Sequence, residues 1–159
     1  MKKILIIVAI FATAFVQQIF AQDNKQQTQL TELLHSYYDI KNALVAGNAA
    51  TASLKADDFI KHLNAIDAKS ISHENAAALL KDASHISSSK EIKHQREHFA
   101  KFSENMFIVA KAVKLTSEPI YQAYCPMKKA YWLSSEKAIK NPYFGSSMLT
   151  CGSVKETLK

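Results

Sequence analysis

Two short stretches near the C-terminus bring together residue types suited to holding a soft metal ion. One is Tyr124-Cys125-Pro126-Met127, and the other is Met148-Leu149-Thr150-Cys151-Gly152. Each sets a methionine two or three residues from a cysteine, so together they offer two thiolates and two thioethers. Sulfur donors of this softness suit Cu(I) best among the common metals. Pro126 stiffens the first stretch, and Gly152 lets backbone approach closely in the second. The same residues carry a plainer reading. Two cysteines in an exported chain ordinarily form a disulfide, and closing the Cys125–Cys151 loop would contribute about 3 kcal/mol in the chain-entropy model. Methionines beside cysteines also serve as core filler. A redox change can switch a dithiol between the two states, so the readings are not fully exclusive.

Histidine offers a second chemistry. His94 and His98 are four apart and share a helix face. With Cys125 and Cys151 they would complete a tetrahedral zinc set, although neither Cys-x-x-Cys nor His-Glu-x-x-His occurs. His35, His62, His73 and His85 are scattered and form no pattern. There is no Gly-x-Ser-x-Gly, phosphate-binding glycine loop or dinucleotide fingerprint. The chain therefore reads as a binding or structural protein and not as an enzyme.

The elements that must position these residues are mostly helical. Leu30, Leu33, Leu34, Tyr37, Ile40, Leu44 and Val45 recur at helical spacing, and Gly47-Asn48 is a stop signal. A second helix is expected over Ala49 to Ile66, a third from Ser72, and a fourth from Lys90 to Val113. Asp23 to Thr28 reads as a frayed polar leader. Asp57 and Asp58 point about 100° apart on a helix and make no acid–base pair. After Lys114 the helical period fades, except around Ser134 to Lys140. Residues 118–152 hold all three prolines, the only tryptophan and both cysteines. So aromatic a tail is expected to fold back over the bundle, with one or two short strands near Ile120–Tyr124 and Ala130–Leu133. Asn141-Pro142-Tyr143-Phe144-Gly145 looks like a turn presenting two rings. The fold class is thus all-α: an up-down four-helix bundle with an irregular, aromatic-rich C-terminal cap.

The N-terminus sets the expected compartment. Lys2 and Lys3, an uncharged run from Ile4 to Val16, and a small residue at Ala21 have the layout of a secretory signal peptide. Residues 1–21 are expected to be removed, leaving one domain over 22–159, periplasmic or otherwise exported, with no stable membrane insertion. The formal charge of +6 then falls to about +4. With Arg96 as the only arginine, this excess points to solvated faces and excludes a nucleic-acid partner.

Tyr124-Cys125-Pro126-Met127, Ala130-Tyr131-Trp132-Leu133-Ser134, Asn141-Pro142-Tyr143-Phe144-Gly145 and Met148-Leu149-Thr150-Cys151-Gly152 resemble a family of small exported bacterial domains of unknown function. Domains of that family also stand at the C-terminus of periplasmic adaptor proteins of copper and heavy-metal efflux systems. The stretch His94-Gln95-Arg96-Glu97-His98-Phe99-Ala100, with Ser103 and Met106, is similar to its other signature. The resemblance implies metal handling and no reaction. It carries over Cys125, Met127, Met148 and Cys151 as sulfur ligands, adds His98 from the second signature, and places Met106 lower because its spacing equally suits the core. Nothing in these 159 residues corresponds to the adaptor's long hairpin or lipoyl-like parts. The resemblance therefore implies a chaperone, buffer or sensor that binds Cu(I), less readily zinc, and meets an efflux component. The alternative is a disulfide-closed helical interaction module without metal.

Overall fold

The computed structural model describes residues 24–159 in full and the backbone of the first helix from Lys2. The signal peptide expected over residues 1–21 lies outside the described residues as far as its side chains are concerned. Four helices come first, α1 (Lys2–Val45), α2 (Ala49–Ala65), α3 (His73–Ser88) and α4 (Ile92–Ala112). Three strands follow, β1 (Ile120–Cys125), β2 (Ala130–Ser134) and β3 (Ser153–Leu158), with a 3-10 turn over Gly145–Met148 before β3. Among the described residues no helix is long and apolar enough to cross a membrane.

The turn between α1 and α2 shows how local chemistry builds the bundle. Gly47 takes φ +72, where a side chain would be strained. Its N–H and that of Asn48 donate back to the carbonyls of Leu44 and Ala43, closing α1. Asn48 then caps α2 by accepting from the Thr51 N–H at 2.9 Å. Ala52 and Ala56 are fully buried and bring α2 close to α1, while Phe59 fills the core beyond them. Ser72 caps α3 through the Asn75 N–H. Each helix packs on the next in the chain, but α4 meets α1 only lightly and packs more broadly on β2.

Residues 24–28 are not a frayed leader. They continue α1, and the neighbouring glutamines hold other elements. Gln26 donates to the Ser70 hydroxyl at 2.7 Å, Gln27 to the carbonyls of Lys114 and Leu115, and Gln29 to the Ala65 carbonyl at 2.8 Å. Carbonyls left free where helices end are thus satisfied from α1. Asp58 sits between Lys55 and Lys61 as a surface ion pair.

The C-terminal region is more regular than an all-α reading allows. Its strands form one antiparallel sheet in the order β2-β1-β3, with Tyr124 opposite Tyr131 in β2 and Ser153 in β3. The first two strands fall where the sequence places them, and β3 was not expected. It is a short edge strand whose alternate residues are half-buried, and its Lys155 and Glu156 mask the period-two signal. No helix forms over Ser134 to Lys140. There the Ser134 hydroxyl accepts from the Glu136 N–H at 3.1 Å, a local bond that competes with helix.

Tyr37 ties the sheet to the bundle. Fully buried in α1, its hydroxyl shares a 2.7 Å hydrogen bond with Ser103 of α4 and accepts the Leu133 N–H of β2 at 3.0 Å. Its ring stacks on Phe99 at 5.4 Å. Tyr37→Phe would keep the packing and strand the Leu133 N–H. It is expected to lower stability by about 1–3 kcal/mol and shift the urea midpoint at constant slope. A midpoint equal to the wild type's would show that the hydroxyl is not the tie.

Candidate functional site

Cys125 is the last residue of β1, and Cys151 stands just before β3. Because β1 and β3 pair with Tyr124 opposite Ser153, the two cysteines come to the same end of neighbouring strands. Their sulfurs lie 3.9 Å apart. Both are free thiols, since a disulfide requires about 2.05 Å. Cys125 is wholly buried and Cys151 half-buried. The β1–β2 turn, residues 126–129, wraps around them. Lys128 donates its N–H to Cys125 Sγ at 3.4 Å, and a backbone hydrogen bond from Met127 reaches Cys151. Lys129 takes φ 57 to complete the turn, donating its N–H to the Cys125 carbonyl at 2.8 Å. Burial pushes the Cys151 thiol up, and the neighbouring Cys125 thiol pushes it the same way.

The segment that delivers Cys151 is held from behind. Asn141, fully buried, donates its amide to the Cys151 carbonyl at 2.7 Å and its backbone N–H to the Leu149 carbonyl at 2.8 Å. Its side-chain oxygen accepts the Tyr143 N–H at 2.8 Å. Gly145, at φ +56, leaves no room for a Cβ: one would lie 2.7 Å from Arg96 Nη2 and 2.8 Å from the Val45 carbonyl oxygen. Arg96 reaches this spot because it donates to the Leu44 carbonyl at 2.8 Å, sealing the end of α1. Gly152 is similarly confined, a Cβ there falling 2.7 Å from the Trp132 ring and 2.9 Å from the Tyr124 carbonyl oxygen.

The Asn141–Gly145 turn does not present its rings. Tyr143 is buried against Phe99 and Trp132, its hydroxyl bonded to the Tyr131 carbonyl, and Phe144 is half-buried. The bonds of Asn141 and the close fit at Gly145 bend this segment inward, so the rings belong to the core. Gln95 is structural in the same sense: wholly buried, it donates to the carbonyls of Ala49, Ile86 and Ser89.

Met127, on the turn after Cys125, is 64% exposed, and Met148, at the end of the 3-10 turn, is 40% exposed. Neither is core filler. Met106 is, being fully buried in α4.

His98 does not join the sulfurs. It clusters with His94 on α4 and with His85 on α3, the ligand atoms of all three lying within 4.8 Å of one another. Among the described residues this is the group of three or more His, Cys, Asp or Glu side chains so placed, and neither cysteine belongs to it. The four-ligand zinc set of His94, His98, Cys125 and Cys151 is therefore split in two. The rings of His85 and His98 stack at 4.2 Å, and those of His94 and His98 meet at 4.6 Å with a 56° tilt. Burial first, then His85 and His94, lower the His98 pKa. Sequence reasoning passed over His85. Its signal was the link of three residues between α3 and α4, which sets position 85 against the start of α4.

A family model described as Protein of unknown function (DUF3347) matches residues 33–118. The match runs through the helical bundle and ends before β1, whereas the sequence resemblance rests chiefly on the tail. No curated protein and no solved structure matches the chain.

The unequal burial of the two sulfurs predicts two-phase thiol chemistry. In the native, reduced protein Cys151 is expected to be alkylated first by iodoacetamide, which leaves no disulfide for its neighbour to exchange with, and Cys125 only on unfolding. Asn141→Ala, which frees the Cys151 carbonyl, is expected to speed the first phase at least tenfold. Equal rates for both thiols in the folded protein would contradict this geometry.

Proposed function

Because the chain belongs to the DUF3347 family and faces two free thiols toward each other, we propose that it is an exported, soft-metal-binding accessory protein, a chaperone or buffer for Cu(I) linked to metal efflux. The observation that carries this reading is the 3.9 Å separation of Cys125 Sγ and Cys151 Sγ. With metal–sulfur bonds of about 2.3 Å, that separation subtends about 115° at a shared ion, between the tetrahedral and trigonal angles. One ion can be held by both sulfurs with little rearrangement. The backbone bonds from Met127 and Lys128 reach sulfur, where they would stabilise thiolate charge. Met127 and Met148, exposed and near the pair in sequence, are the thioethers that this reading adds to the two thiolates.

In this role the thiolates carry the affinity, because each is anionic and strongly donating while a thioether is neutral and weaker. Met127 and Met148 add ligation where the ion enters and leaves, as transfer to a partner requires. The link to an efflux component rests on the resemblance of the tail to domains of efflux adaptor proteins. Zinc gains nothing from thioether and finds no histidine grouped with the sulfurs, so Cu(I) is favoured over zinc here.

The test is a Cu(I) competition titration on the reduced protein. Cys125→Ser or Cys151→Ser is expected to abolish tight binding. Met127→Leu and Met148→Leu, which conserve volume, are expected to weaken it roughly tenfold or less and leave stability unchanged. Reduced wild type binding no better than the double serine variant would exclude the metal role and leave a disulfide-closed interaction module. The raised Cys151 pKa sets the pH dependence. Below it the thiol keeps its proton, which the ion must displace, so affinity is expected to rise with pH through the neutral range and level off above that pKa. A titration flat from pH 6 to pH 9 (values on the order of the ordinary thiol range) would rule out thiolate ligation.

A further inference from the structure

The histidines that left the sulfur site form a cluster of their own. α3 ends at Ser88 and α4 begins at Ile92, and this short link turns the two helices into an antiparallel hairpin. Gln95 pins the hairpin by donating to the Ile86 carbonyl at 3.2 Å and the Ser89 carbonyl at 2.8 Å. The backbones that carry His85, His94 and His98 are therefore fixed relative to one another, and only the ring torsions remain free. His94 and His98 lie one turn apart on α4, and His85 faces them from α3.

We propose that His85, His94 and His98 form a second, sulfur-free site that takes a divalent transition-metal ion such as Zn²⁺, with three imidazoles as ligands and water completing the shell. Imidazole is the donor such ions prefer, and three protein ligands with one open position are a recurrent zinc arrangement. Nitrogens around a tetrahedral zinc with bonds of about 2.0–2.1 Å lie roughly 3.3 Å apart. The three ligand atoms start within 4.8 Å of one another, so capture needs a contraction that side-chain rotation supplies. The parallel stack of His85 on His98, 9° between planes, must open, since parallel rings do not aim their lone pairs at one point. His85 is exposed and free to turn. Asp82, buried one turn before His85, places its carboxylate in the field of His98. There it offsets part of the charge of a bound cation. It is held by the Asn105 amide at 2.8 Å. Lys81 and Lys101 act on Asp82 in the opposite sense to burial, and Lys101 is itself paired with Glu104.

This site does not depend on the thiol reading, and the experiment separates the two. Zn²⁺ is titrated calorimetrically into the Cys125→Ser/Cys151→Ser variant, into that variant with His85→Ala, and into wild type with and without His85→Ala. The serine variant is expected to bind one Zn²⁺ per chain, with histidine ring nitrogen resonances shifting on NMR. His85→Ala, at an exposed helical position that alanine suits, is expected to weaken that site at least tenfold and to lower the wild-type stoichiometry by one. His94→Ala is expected to act alike. No Zn²⁺ uptake by the serine variant while wild type keeps an uptake insensitive to His85→Ala, or uptake by the serine variant that His85→Ala leaves unchanged, would overturn the proposal. Either result would leave the Cu(I) reading standing.

Discussion

The Tyr37 hydroxyl is the point on which the architecture turns. It is buried where α1, α4 and β2 meet, and its one oxygen bonds to Ser103 and accepts from Leu133. A phenol there puts an apolar ring among Phe99 and Phe102 and a polar atom where a strand needs an acceptor. α4 and α1 touch only lightly, so the strand is part of what joins them. The sheet completes the core: Trp132 and Leu133 are as buried as any helical residue. Burial without charge stabilisation keeps the phenol protonated, its pKa held well above the ordinary value, so the tie persists through the physiological range.

From that tie the sulfur geometry follows in steps. β2 held on the bundle positions β1 through their antiparallel register, and β1 carries Cys125 at its end. β3 pairs with the other edge of β1, which brings Cys151 alongside. Asn141 and Gly152 set the last few ångströms, one through a hydrogen bond to the Cys151 carbonyl and the other by having no Cβ to collide with Trp132. Arg96 links this to the helices, since the guanidinium that closes α1 also borders Gly145. Residues from both sequence signatures, Arg96 from one and Asn141, Gly145 and Gly152 from the other, thus hold the segment that carries Cys151.

The two donor clusters differ in kind. As the two proposed sites, thiols at a strand end would suit a soft monovalent ion and imidazoles on a rigid hairpin a borderline divalent one. His98 sits in the second cluster and not the first because its helix turns that face toward α3, while the neighbouring face, carrying Phe99, Phe102 and Ser103, turns toward Tyr37.

Read by itself, the sequence determined the four helices, because apolar residues at helical spacing and caps such as Gly47-Asn48 and Ser72 act over a few residues and need no partner to be recognised. It also located the first two strands. It did not show β3, whose charged residues hide a weak alternation, nor the role of the glutamines before Leu30, whose amides matter only because other helix ends come to meet them. The inward turn of Tyr143 and the migration of His98 to His85 were decided by tertiary structure alone, whereas the sequence already set Cys125 against Cys151 and the fold decided only that they meet as free thiols 3.9 Å apart. Each depends on contacts between residues far apart in the chain, or across the α3–α4 link, and spacing along one segment does not specify which faces of two elements meet.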